Sequence, residues 1–131
     1  MSNPTNSQPV LDLPDIPVVF ARVRRGFESG RTRSIEWRLG QLRNLVRLLD
    51  EREDQIAAAL AQDLGRSKEE AWFGDVASTR GEAVYAIKHL RSWMKRRRQP
   101  LSAVQYPGSA WIQYEPLGVV LIIGPWNYPI S

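Results

Sequence analysis

The chain has no cysteine and a single histidine in 131 residues. Disulfide scaffolds and cysteine zinc sites are therefore excluded, and so is any thiol chemistry supplied by these residues themselves. With one histidine, His89, and no cysteine, no nucleophilic triad can be assembled. Asp63, Asp75 and His89 lack the spacing of a metal cluster, so no metal site is expected. No apolar run reaches the length of a membrane span. The opening MSNPTNSQPVLDLP has no basic segment followed by an apolar one, so it does not read as a secretory signal. Neither a dinucleotide-type glycine fingerprint nor a phosphate-binding loop with lysine is present.

What remains is an ordinary globular composition. Apolar residues make up 43% of the chain, too many for a disordered polymer. The net charge of +4 is modest, and the basic residues are interspersed with acidic ones. Absent disulfides suit a reducing compartment, and a cytoplasmic location is the expectation. Residues 1–12 read as a flexible leader rich in Ser, Asn, Pro and Gln.

Three amphipathic helices are predicted over 13–100. Asp15 can cap the first, Pro17 is tolerated in its first turn, and Gly30 can end it. Ile16, Val19, Val23 and Phe27 form its apolar stripe, with Arg22, Arg24 and Arg25 on a basic flank. The second helix starts at Ser34, runs about eight turns with a bend near Asp50 to Asp54, and stops at Gly65. Ser67 to Glu70 is a candidate capping box for the third. That helix passes through Phe73, Val76, Ala83, Ile87, Leu90 and Met94. It is expected to end in Lys95 to Arg98, a basic run favoured at the negative end of a helix dipole, before Pro100.

Beyond Pro100 the period changes from helical to alternating. Ala103 to Tyr106 reads as a short strand, Pro107-Gly108 as a turn, and Ala110 to Glu115 as a partly exposed strand, so the two can pair as a hairpin. Val119 to Ile123 is a continuous aliphatic run, the pattern of a strand covered on both faces in a helix-packed parallel sheet. One such strand, arriving last, predicts the front part of a larger α/β protein.

Gly124, Pro125, Trp126, Asn127, Tyr128 and Pro129 follow the run. In open α/β sheets ligands gather beyond the C-terminal ends of strands. Asn127 carries an amide donor able to hold a developing oxyanion without giving up a proton. The same residues also read as a rigid turn with a buried tryptophan and an asparagine that satisfies local backbone.

EPLGVVLIIGPWNYP, Glu115 to Pro129, resembles the first cofactor-domain strand and following loop of the NAD(P)-dependent aldehyde dehydrogenases, class 3-like in type, the branch with fatty-aldehyde and coniferyl-aldehyde enzymes. IAAALAQDLGRSKEEAW, Ile56 to Trp72, and AIKHLRSWMK, Ala86 to Lys95, support it. The resemblance implies an α/β N-terminal fragment of that fold: a helical part over 13–100, strands of an oligomerisation region over 101–116, and the first Rossmann-type strand with an active-site loop over 117–131. It implies an aldehyde substrate, NAD or NADP as cofactor, and a homodimer at full length. In that family a cysteine thiolate attacks the aldehyde, and an asparagine amide in this motif holds the resulting oxyanion. Asn127 takes that role by resemblance, and Ile123, Gly124, Pro125 and Trp126 line the cofactor cleft. The family's cysteine has no counterpart here, so these residues alone are expected to be inactive. Two other readings are a non-catalytic helical interaction module and a weak basic nucleic-acid-binding domain; neither zinc-finger spacing nor an aromatic RNA-binding motif supports the last, and no nucleic acid is expected.

Overall fold

The structure, a computed structural model, describes residues 14–130. The expected leader over 1–12 lies outside the described residues. Helix α1 spans Ile16–Glu28, α2 Ile35–Glu51, α3 Glu53–Leu64, α4 Lys68–Ala71 and α5 Ser78–Trp93. A π-helical turn, Trp72–Ala77, joins α4 to α5. Strands β1, Arg97–Gln99, and β2, Ala110–Ile112, follow, with a 3-10 turn at Ala103–Gln105 between them.

Local chemistry explains most of the boundaries. Ser34 accepts a hydrogen bond from the Trp37 N–H, satisfying one orphan donor at the start of α2. The expected bend falls at Arg52, whose φ of -116° breaks the run into α2 and α3. Gly65 then ends α3 at φ 68°, a left-handed conformation costly for any residue with a Cβ. At the next start, Ser67 and Glu70 form a reciprocal capping box. Asp15 precedes α1, and its carbonyl accepts the Val19 N–H at 3.0 Å, but its side chain makes no cap bond.

Helices α2 and α5 lie side by side and run antiparallel. Arg80, near the start of α5, binds Asp50 at the end of α2 at 2.6 Å, while Arg91 near the end of α5 meets Glu36 at the start of α2 at 3.9 Å. Between and around them sits the apolar core: Leu39 and Leu49 from α2, Ala57 and Leu60 from α3, Ala71, Val76 and Ala83. The π-helical turn keeps both Asp75 and Val76 inside, which makes Asp75 the one buried charged side chain among the described residues.

Two expectations are corrected. The basic run does not extend α5. The helix stops at Trp93, and Arg97 and Arg98 pair in an antiparallel ladder, Arg97 opposite Ile112 and Arg98 opposite Trp111. Two arginines lie over aromatic rings there, Arg96 over Trp111 and Arg97 over Tyr114, at 5.3 and 5.5 Å from the ring centroids. Those contacts reward a strand more than the dipole rewards another helical turn. Accordingly, the hairpin partner of β2 is β1, and Ala103–Gln105 is a 3-10 turn capped by Ser102 rather than a strand. Val119 to Ile123 forms no ladder among the described residues, where the only sheet is the β1–β2 pair and the neighbours a central strand requires are not supplied. A strand needs a neighbour to take its N–H and C=O groups, and β1 and β2 use each other. Leu121, Ile122 and Ile123 are each more than four-fifths exposed.

Candidate active-site loop

Pro125 to Tyr128 closes a tight turn, in which the Pro125 carbonyl accepts the Tyr128 N–H at 3.3 Å. Proline's fixed φ stiffens its entry. Trp126 stands 90% exposed at the tip, so the alternative of a turn built around a buried tryptophan is overturned. Asn127 is also exposed, and among the described residues its side-chain amide makes no hydrogen bond. Its donor is therefore not consumed by local backbone.

Two ties fasten the loop to the helices. Arg66, in the α3–α4 connection, donates to the Asn127 backbone carbonyl and pairs through its other nitrogen with Asp75. Its guanidinium lies 4.5 Å from the centroid of the Tyr128 ring. Asp75 has no solvent exposure, and one of its carboxylate oxygens has no hydrogen-bond partner among the described residues. Farther along, the Thr79 hydroxyl donates to the Ile130 carbonyl at 3.2 Å. Gly74 leaves room for this docking. A Cβ there would sit 3.3 Å from Tyr128 Cε1 and 3.4 Å from Arg66 Nη1, tighter than ordinary contact.

The loop also roofs an apolar groove of about 720 Å³ whose walls include Leu45, Leu49, Ile56, Leu60, Trp126 and Ile130. Ile123 and Gly124 lie outside it, on the open approach to the turn; a Cβ on Gly124 would meet nothing within 4 Å. Ile123, Gly124, Pro125 and Trp126 thus form an accessible ledge with Asn127 at its end.

Sequence reasoning singled out the loop residues but not the contacts that hold them. Arg66, Asp75, Thr79 and Tyr128 had no site role there. The available signal was Asp75, an acidic residue inside a helical stretch beside Val76 on the inward side. His89 is a half-buried helix-surface residue, its ring stacked on Tyr85 at 4.0 Å between centroids. Among the described residues no three acidic or histidine side chains gather as metal ligands, and no helix is long and apolar enough to cross a membrane.

Residues 3–131 match the aldehyde dehydrogenase family. The chain is 45% identical over 107 residues to aldehyde dehydrogenase family 3 member I1, chloroplastic, of Arabidopsis thaliana, covering 82% of this chain and 20% of that protein. It is 46% identical over 110 residues to human aldehyde dehydrogenase family 3 member B1, covering 84% and 24%. The substrate-bound state of Staphylococcus aureus AldH superposes with a TM-score of 0.85 at 32% identity, over 90% of this chain and 26% of that one. The chain therefore spans about a quarter of the length of the curated relatives it matches.

Proposed function

Because the chain belongs to the aldehyde dehydrogenase family, in its family 3-like branch, we propose that it supplies the oxyanion donor and one wall of the cofactor cleft to an NAD(P)-dependent oxidation of an aldehyde to a carboxylic acid. The observation that carries this reading is the placement of Asn127. Its amide lies at the tip of a rigid turn, exposed and uncommitted, beside an apolar ledge.

The chemistry asks for such a group. When a thiolate adds to an aldehyde, the carbonyl π electrons move to oxygen and a tetrahedral alkoxide forms. A donor aimed at that oxygen stabilises the transition state more than the planar substrate. An amide cannot lose its proton to the alkoxide, so it holds the charge without quenching it. NAD or NADP, when bound, would supply the hydride acceptor for this oxidation. Ile123, Gly124, Pro125 and Trp126 are the residues here that would hold its nicotinamide half.

The thiol must come from elsewhere in a longer polypeptide, since this chain has no cysteine. The 131 residues alone are accordingly inactive. A homodimer belongs to the same reading, supported by the exposed two-stranded hairpin, whose free edges can extend a sheet. A cytoplasmic location is supported by the cysteine-free composition alone. The helical segments over 13–100 are proposed as the N-terminal part of the cofactor domain, and 117–131 as its first strand and active-site loop.

The test is Asn127→Ala in the full-length enzyme carrying this segment. Loss of one oxyanion donor lowers kcat by about 100-fold or more. Turnover at the wild-type rate, with chemistry limiting, overturns the assignment. In parallel, the 131-residue chain mixed with aldehyde and NAD should form no NADH; steady turnover there would contradict the requirement for an external thiol.

A further inference from the structure

We infer that Arg66 and Asp75 are a positioning pair that fixes where the Asn127 side chain leaves the backbone. The inference rests on the oxyanion reading of Asn127 and deepens it. Arg66 is the point where three interactions converge. One nitrogen pairs with the Asp75 carboxylate, the other donates to the Asn127 carbonyl, and the face of the guanidinium lies over the Tyr128 ring. The carbonyl of Asn127 belongs to the peptide plane that links it to Tyr128. Holding that plane on one side and the following ring on the other restrains ψ of Asn127, and together with the Pro125–Tyr128 turn bond it restrains the direction of the Asn127 Cα–Cβ bond.

The geometry suits arginine in particular. A planar fork reaches two acceptors at fixed angles while its face stacks on an aromatic ring, which a lysine ammonium cannot do together. Asp75 in turn immobilises the fork. Its carboxylate has no exposure, whereas the Arg66 side chain keeps 16%. A buried carboxylate has no other cation to choose among the described residues. Sequence separation underlines the purpose: Arg66 and Asn127 are 61 positions apart, so this bond is made by the tertiary fold and not by local turn chemistry. Gly74 is kept free of a Cβ at the place where Tyr128 and Arg66 meet.

The experiment is a mutant cycle in the full-length enzyme, reading kcat, KM for aldehyde and cofactor, and thermal midpoint. Arg66→Met should lower kcat by about 10- to 100-fold, the scale of loss for a group misplaced by about 1 Å. Both KM values should change by less than about 3-fold, since only a transition-state contact is weakened. Arg66→Lys should recover part of the loss. Because Arg66→Met strands a buried carboxylate, Arg66→Met with Asp75→Asn serves as the folded control and should be as slow. The double variant Arg66→Met, Asn127→Ala should be no slower than Asn127→Ala alone, because Arg66 acts only through that amide. Wild-type turnover by the folded Arg66 variants beside a slow Asn127→Ala enzyme overturns the positioning role alone. Losses that multiply in the double variant overturn it too. Wild-type turnover by Asn127→Ala instead removes the oxyanion reading, and the inference with it.

Discussion

Asp75 is wholly buried, and its carboxylate is paired with Arg66, which reaches it from the other side of the Ser67 capping box. The two ends of this pair differ in their access to water, and that difference sets an order. Arg66→Met leaves a buried carboxylate with no cation. Asp75→Asn leaves a guanidinium that retains some solvent and can still bond the Asn127 carbonyl. Breaking a buried pair from one side costs about 3–5 kcal/mol. Arg66→Met should fall at the upper end of that range and Asp75→Asn below it, measured by urea unfolding of the 131-residue chain. The reverse order would mean that the pair is wetter than its burial indicates.

A second prediction separates neighbours on α2. Leu49 is 1% exposed and Leu48 is 52% exposed. Truncating a fully buried leucine removes its transfer free energy and leaves a cavity in the helical core, costing about 2–5 kcal/mol. Leu49→Ala should therefore destabilise the chain by about 3 kcal/mol. For Leu48→Ala the expected loss is under about 1 kcal/mol, because half of that side chain is already in water. Equal losses at the two positions would show that the α2 face is rotated from the one described.

Much of this layout was legible beforehand, for a physical reason. Helix ends are decided by short-range chemistry: Ser34, Ser67 and Gly65 all sit where capping rules put them, and the break at Arg52 falls within the bend expected near Asp50 to Asp54. The amphipathic stripes likewise marked Leu39, Leu49, Leu60 and Val76 as inward. Ladders and site supports are not local. The partner of Ala110–Ile112 proved to be Arg97–Gln99, chosen by cross-strand arginine–aromatic contacts that no single-segment pattern contains. Asn127 was proposed from its motif alone, whereas its tie to Arg66 depends on how α3, α4 and the loop come together.

The capping box gives a third prediction. The Ser67 hydroxyl accepts the Glu70 N–H at 3.2 Å, and the Glu70 carboxylate accepts the Ser67 N–H at 2.9 Å. Ser67→Ala should cost about 1 kcal/mol, because an N-terminal donor of α4 loses its acceptor. Ser67→Asp should recover most of it, since a carboxylate accepts the same N–H and also suits the positive end of the helix. Unfolding midpoints in urea decide this; no gap between Ser67→Ala and Ser67→Asp would mean that α4 is held by its neighbours alone.

Across the same junction Lys68 binds Asp54 at 2.7 Å. The hydrogen bond from Lys68, and then its charge, hold the Asp54 carboxyl below the ordinary carboxylate range. The same contact raises the Lys68 ammonium. A depressed carboxyl adds stability above its unfolded-state pKa, and that share is lost as pH falls through the folded value. A raised ammonium adds stability below its unfolded-state pKa, and that share is lost as pH rises through the folded value. The pair therefore operates between about pH 4 and about pH 10 and fades outside that window. Both groups are well exposed, so added salt should weaken the effect. Carbon-13 NMR titration of the Asp54 carboxyl should show it returning to the ordinary range in Lys68→Met. An unchanged midpoint would mean that Lys68 does not reach Asp54 in solution.

The last prediction concerns the aliphatic run. Leu117, Leu121, Ile122 and Ile123 are each more than four-fifths exposed, and none of them lies in a paired strand among the described residues. Contiguous apolar surface of this kind, with free N–H and C=O groups beside it, favours pairing with another chain. The 131-residue chain should bind a hydrophobic dye and sediment as concentration-dependent oligomers. Leu121→Lys with Ile122→Lys should suppress both, because placing two ammonium groups in an intermolecular sheet is costly. The double variant should leave the unfolding free energy of the helical body within about 0.5 kcal/mol, since both side chains are exposed. Oligomers that persist in that variant would shift the cause to another exposed surface, such as the apolar stripe of α1, where Ile16 and Val18 also face solvent.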